Sequence, residues 1–223
     1  MSIFKLYIKN WHYIGGILFV ALAFLVGSFG EAIEPLRKIL LLSYMALLVH
    51  QFEEYVVPGG FPAVFNIVMS GEKEAPDRYP LNPKSAFFVN VLCAYPFYII
   101  AIVFPDLIWL GLAQILFGMA QVFIHGIFVN VKMKSLYNPG LGAVVFLHWP
   151  IGLYYIWYIY ANGLIQPWYW FAGIGLTLLA AMLLVNLSVA KLKNKDSEYA
   201  FSVEEMERFH VKAKMADLAA KQR

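Results

Sequence analysis

Long apolar stretches separated by short polar joins run through most of the chain, near 13–29, 36–57, 86–104, 106–131, 141–160 and 168–190. Each has about the ~20 residues that a helix needs to cross ~30 Å of hydrocarbon. The joins carry helix breakers: Pro35, Pro58-Gly59-Gly60, Pro62, Pro83, Pro105, Pro139-Gly140 and Pro167. Only Phe104-Pro105-Asp106 separates the third and fourth stretches, which predicts a tight antiparallel hairpin. Pro96 lies inside the third and is expected to kink it. There is no internal repeat and no low-complexity tract. The pattern predicts an all-α, polytopic membrane bundle of six transmembrane helices.

Composition agrees with that solvent. The 223 residues are 61% apolar and 14% charged, against roughly 45–50% and ~25% in soluble domains. The single cysteine, Cys93, sets aside disulfides and cysteine-based metal sites. The net charge of +3 is spread over loops and tail, so nucleic acid is not an expected partner; the lipid bilayer is. Lys5 and Lys9 precede the first apolar stretch, but it ends in Gly30-Glu31-Ala32-Ile33 without an Ala-x-Ala cleavage pattern, so it is expected to be a retained span. All the lysines and arginines except Arg37 and Lys38 fall on one side of a six-span arrangement. That bias predicts both termini in the cytoplasm, in a plasma (inner) membrane.

Residues 1–192 are thus expected to form the transmembrane domain and 193–223 a cytoplasmic tail. In the tail, Ser202-Val203-Glu204-Glu205 has the form of a helix capping box. Met206, Phe209, Ala213 and Ala216 follow at helical spacing. The simpler expectation is an amphipathic helix on the cytoplasmic surface; the sharper one is a helix docked against the mouth of a site.

The candidate site begins with Leu47-Leu48-Val49-His50-Gln51-Phe52-Glu53-Glu54-Tyr55. Ionisable residues at membrane depth cost about 2.5–3.5 kcal/mol each on insertion scales and mark function. His50, Glu53 and Glu54, at i, i+3 and i+4, project from one helix face. With the topology above, His50 lies about 10 Å from the cytoplasmic end of its span, Asn90 about 6 Å, His125 about 9 Å and His148 about 10 Å. Gln121 lies one turn deeper than His125. Residues far apart in the chain thereby fall in one layer. Asn90, Gln121 and His148 are assigned supporting polar roles. His12 and His210 are expected at the surface, and Tyr154-Tyr155-Ile156-Trp157-Tyr158-Ile159-Tyr160, with Trp168 and Trp170, as an outer aromatic belt.

His50-Gln51-Phe52-Glu53-Glu54 resembles the motif that names the HXXEE family of small multi-pass membrane proteins. Tyr55-Val56-Val57-Pro58-Gly59-Gly60-Phe61-Pro62 with Asn66, then Asn90, His125 and Tyr137-Asn138-Pro139-Gly140, are similar to the same pattern. The resemblance covers roughly residues 13–160 and leaves out the last span and the tail. It implies a shared site and does not name a reaction.

The chemistry follows from the residue types. His50 and Glu53 from one helix and His125 from another suit a divalent Zn²⁺ or Fe²⁺ with open positions. Glu54, or whichever glutamate does not ligate, is then the catalytic acid–base group or orients a ligating histidine. A di-iron site needs about four carboxylates, and only these two lie in the layer. The expected function is a metal-dependent enzyme with a cytoplasm-facing site for an apolar or lipid-like small molecule. The alternatives are a metal-free acid–base isomerase or hydrolase, a proton- or cation-coupled carrier, and a structural subunit of a membrane complex. The carrier lacks the expected repeat and a midplane site. Topology is the first test: reporter fusions after residues 70, 135 and 195 are expected to read cytoplasm, and fusions after 32 and 163 the opposite side. A far-side signal at residue 70 overturns the depth argument.

Overall fold

A computed structural model describes residues 3–221. These residues form helices and connecting loops with no strand among them. Five helices are long and apolar enough to cross a membrane: α1 (Ile3–Ala32), α4 (Pro83–Val103), α5 (Ile108–Met133), α6 (Leu141–Ala161) and α7 (Pro167–Leu192). Between α1 and α4 lie α2 (Pro35–Tyr55) and the short α3 (61–69), and the tail forms α8 (Val203–Glu207) and α9 (Val211–Ala220). The second expected span falls on the helix α2, which is not among the five, because Arg37, Lys38, Glu53 and Glu54 lower its apolar character. The first helix begins ten residues before the apolar stretch does, since the amphipathic turn around Lys5 and Lys9 simply continues it.

α2 is the axis of the bundle and packs against α1, α4, α5 and α6. Its start is well specified. Pro35 occupies the first turn, and the Glu34 carboxylate accepts from the backbone N–H groups of Leu36 and Arg37. Its buried residues occur on every side, from Leu36 to Tyr55. By contrast α1 buries only Ile8, Trp11, His12 and Gly15 and exposes Ile17, Val20 and Phe24. Outward apolar side chains of this kind suit lipid. Gly15 and Gly16 let α1 approach α2 closely: a Cβ at either would meet Tyr95, or Phe52 of α2, at 3.0 Å.

The four long C-terminal helices, α4 to α7, share a feature that periodicity does not reveal. Each widens into π-type turns, at 88–94, 122–129, 144–148 and 181–187. The first and third stand immediately before Pro96 and Pro150, whose missing N–H and ring disturb the preceding turn. The expected kink at Pro96 is therefore taken up as a local widening. Asn90, His125 and His148 all sit in these wide turns, a setting common at functional sites.

The tail returns to the body. The Phe201 N–H donates to the Asp77 carbonyl, the Arg78 guanidinium donates to the Ser197 carbonyl, and Lys195 pairs with Glu74. The capping box forms as expected, with Ser202 accepting from the Glu205 N–H and Glu205 accepting from the Ser202 N–H. The single helix expected beyond it does not form, because Phe209 and His210 adopt left-handed backbone (φ 59° and 51°) and divide it. That conformation costs on the order of 1–2 kcal/mol per residue. It offsets this by seating Arg208 on the end of α2, where the guanidinium donates to the carbonyls of Tyr55 (2.7 Å) and Val56 (3.3 Å). Val211 is fully buried against α3 and α5.

Candidate functional site

The site forms where the C-terminal third of α2 meets the wide turn of α5 and the loop entering α6. His50, Glu54 and His125 are all buried, and one donor atom from each lies within 4.8 Å of the others. His50 Nε2 is 3.5 Å from Glu54 Oε1, and His125 Nε2 is 3.4 Å from the same oxygen. The two rings meet edge to face at 4.9 Å.

The second nitrogen of each ring fixes the tautomer. His50 Nδ1 lies 3.0 Å from the Gly140 carbonyl, which only accepts, so Nδ1 carries the proton. His125 Nδ1 lies 2.8 Å from Asn138 Oδ1. The Asn138 amide is oriented by its nitrogen, which donates to the His125 carbonyl and to Asn130 Oδ1, both at 2.7 Å. Its oxygen must therefore accept, and His125 too is protonated on Nδ1. In the neutral form of each ring, Nε2 then faces the carboxylate with a lone pair.

With both rings neutral, three electron-pair donors converge on one point. Metal-bound donors about 2.0–2.1 Å from a tetrahedral ion lie about 3.3 Å apart, close to both Nε2–Oε1 separations. The outer hydrogen bonds are of the kind that hold ligating histidines in place. His50, Glu54 and His125 could therefore hold a divalent ion or share a proton.

The two glutamates divide their roles differently from the order expected on sequence. Glu53, expected as the ligand, turns away from the histidines toward the start of α6. Its carboxylate accepts from the backbone N–H groups of Gly142 (2.9 Å) and Ala143 (2.7 Å), and from the Tyr137 hydroxyl (2.7 Å). It caps α6 from another helix, and its charge suits the positive end of that helix. Burial and the neighbouring Glu53 carboxylate hold the Tyr137 hydroxyl protonated, well above the usual phenol range. Glu54 takes the place beside the histidines, because adjacent side chains on a helix point about 100° apart.

The loop before α6 answers this motif residue by residue: Tyr137 holds Glu53, Asn138 holds His125 and the Gly140 carbonyl holds His50. Gly140 has φ 103°, and a Cβ there would lie 2.6 Å from His125 Cε1 and 2.8 Å from His50 Cε1. The site has no room for any other residue at this position. In the sequence these loop residues stand out only by family resemblance, and the Asn138-Pro139-Gly140 turn just before α6 is the signal that marks them.

The supporting residues are distributed around this centre. Asn90 accepts from the Gln51 amide at 3.1 Å, tying α4 to α2. Asn90 and Gln121 both line the cavity described below, while His148 does not. His148 is buried with its ring 5.9 Å from that of His50, and its Nε2 has no hydrogen-bond partner. His210 is exposed as expected; His12 is not at the surface but buried, between Trp11 and the stacked ring of Tyr55.

His50, Glu54 and His125 form part of the wall of a cavity of about 320 Å³, whose other walls are mainly apolar residues of α3, α4, α5 and α7, among them Phe61, Phe65, Phe97 and Phe117. Phe61 also lies against His125, with ring centroids 5.4 Å apart. A helical bundle built largely of apolar helices, with a buried His/Glu group on an apolar cavity, defines the class. The particular family follows: a family model described as a protein of unknown function with HXXEE motif matches residues 41–155, and the chain belongs to that family. The match begins within α2 and contains His50, Glu53, Glu54, His125 and the whole 137–140 loop. No curated protein and no solved structure matches the chain.

Glu53→Gln tests the capping role. An amide cannot reproduce three accepted hydrogen bonds, and those to a charged group contribute about 1.5–3 kcal/mol each. The variant is expected to melt at clearly lower temperature in detergent while its His50–Glu54–His125 group stays assembled. An unchanged melting temperature would contradict the cap.

Proposed function

We propose that the protein is a metal-dependent membrane enzyme acting on an apolar or lipid-like substrate. In this reading His50, Glu54 and His125 hold a divalent transition ion, Zn²⁺ or Fe²⁺, at the wall of the apolar cavity. The observation that carries it is the convergence of two Nδ1-protonated imidazoles and one carboxylate on a single point. A divalent cation at that point removes the mutual repulsion of the facing lone pairs. A divalent ion bound there supplies a Lewis acid and an acidified water. The chain's own residues do the rest. Phe61, Phe65, Phe97 and Phe117 bind the apolar portion and exclude water; Asn138 and Gly140 hold the ligands in register; Asn90 and Gln121 offer polar contacts at the cavity wall. The site faces the cytoplasm of a plasma (inner) membrane crossed six times, with α2 as the least apolar span.

One feature favours a second reading. The single oxygen Glu54 Oε1 is nearly equidistant from both Nε2 atoms, so a proton shared among the three would also relieve the repulsion. A metal-free acid–base isomerase or hydrolase would use that proton.

Metal analysis separates the two. Protein purified in detergent without chelators is expected to carry about one equivalent of zinc or iron, lost in His50→Ala, His125→Ala and Glu54→Gln and retained in Glu53→Gln. Metal-free wild type that still functions in cells would transfer the assignment to the acid–base reading. Retention of metal in Glu54→Gln alongside loss in Glu53→Gln would reverse the roles of the two glutamates.

A further inference from the structure

A second cavity, of about 300 Å³, lies between the first turns of α1 and the tail, with Lys9, His12, Tyr13, Tyr55, Ser202 and Arg208 in its wall. We propose that it binds an oxyanion of the phosphate class. The inference stands apart from the metal reading, since none of the residues it uses belongs to the His50–Glu54–His125 group.

Two observations carry it. The first is His12: it is 5% exposed, lines the cavity, and its Nδ1 has no hydrogen-bond partner. A buried polar atom left unpaired costs about 1–3 kcal/mol, and its ring is held in place by Trp11 and Tyr55. The second is the charge balance. The cavity's two acids are already engaged: Glu204 accepts from Arg208 at 2.9 Å, and Glu205 accepts from the backbone N–H and hydroxyl of Ser202 at 2.6 and 2.8 Å. Arg208 is fixed on the carbonyls of Tyr55 and Val56. Lys9, by contrast, has no acidic partner among the described residues. An ammonium without an acidic partner and an unpartnered imidazole nitrogen thus line one space, and an oxyanion satisfies both, the nitrogen donating as its Nδ1–H tautomer.

The position suits a headgroup. The most apolar stretch of α1 is the least buried among the candidate spans, and Lys9 and His12 sit near the start of that helix, beside exposed Ile14 and Ile17. Basic pockets at the cytoplasmic ends of membrane helices recognise lipid phosphates. The same chemistry would accept free phosphate.

The test is a thermal-shift titration of the full chain in neutral detergent with three probes: dihexanoyl phosphatidic acid, inorganic phosphate and uncharged dihexanoylglycerol. Saturable stabilisation by phosphatidic acid alone identifies a lipid headgroup; stabilisation by inorganic phosphate as well identifies a general oxyanion site. Lys9→Gln, at an exposed position, and His12→Gln, which keeps a polar planar group, are each expected to weaken the response about tenfold, the equivalent of one charge-assisted hydrogen bond. Metal content should be unchanged in both. Absence of a saturable shift with either phosphate probe, equal stabilisation by the uncharged lipid, or full affinity in both variants overturns the proposal without touching the metal site.

Discussion

Two imidazoles and a carboxylate meet in the interior with their lone pairs toward one another, and most of the surrounding architecture serves to keep them so. Left alone, either ring could flip and donate to Glu54. The Gly140 carbonyl and the Asn138 amide prevent this by taking the Nδ1 protons. Asn138 in turn is locked by the His125 carbonyl and by Asn130. The donor group is pre-organised before anything binds, which is the costly part of building a metal or proton site in a low-dielectric setting.

The same economy appears at the ends of the helices. The start of α6 is satisfied by Glu53 from α2, and the end of α2 by Arg208 from the tail. Each terminus is capped by a residue from another part of the chain, so helix ends that would otherwise present bare N–H or C=O groups become joints between elements. Tyr137 links the two joints: its hydroxyl donates to Glu53 and its ring lies 5.8 Å from that of Phe209, next to Arg208. The tail is thereby part of the frame that positions α2.

Much of this could be read from the chain. Apolar stretches matched the long helices to within a few residues except at the start of α1, and His50 and His125, 75 positions apart, meet as their depths along the helices predict. Which glutamate faces the histidines was not legible, because that depends on the rotation of α2 relative to α5 and α6, and Glu53 and Glu54 have the same chemistry. The wide turns were hidden for a similar reason: they shift register without changing composition. His12 looked like a surface residue because the burial comes from Trp11, Tyr55 and a returning tail. The break at Phe209 and His210 was equally hidden, since left-handed backbone is rare for Phe and a single His is a weak signal of it.

The residues that satisfy α2 bear on how the protein is made. In the proposed six-span arrangement, the ribosome delivers α2 before α5, the 134–140 loop or the tail exists, and α2 is the one span whose composition does not carry it into lipid. His50, Glu53 and Glu54 then await their partners on α5 and in the loop before α6 until more than 70 further residues have emerged. In that arrangement the polar end of α2 is satisfied late, once the loop before α6 has emerged beside it. A chain truncated before Gly140 would leave its central helix without the Gly140 carbonyl and the Gly142 and Ala143 N–H groups that His50 and Glu53 use.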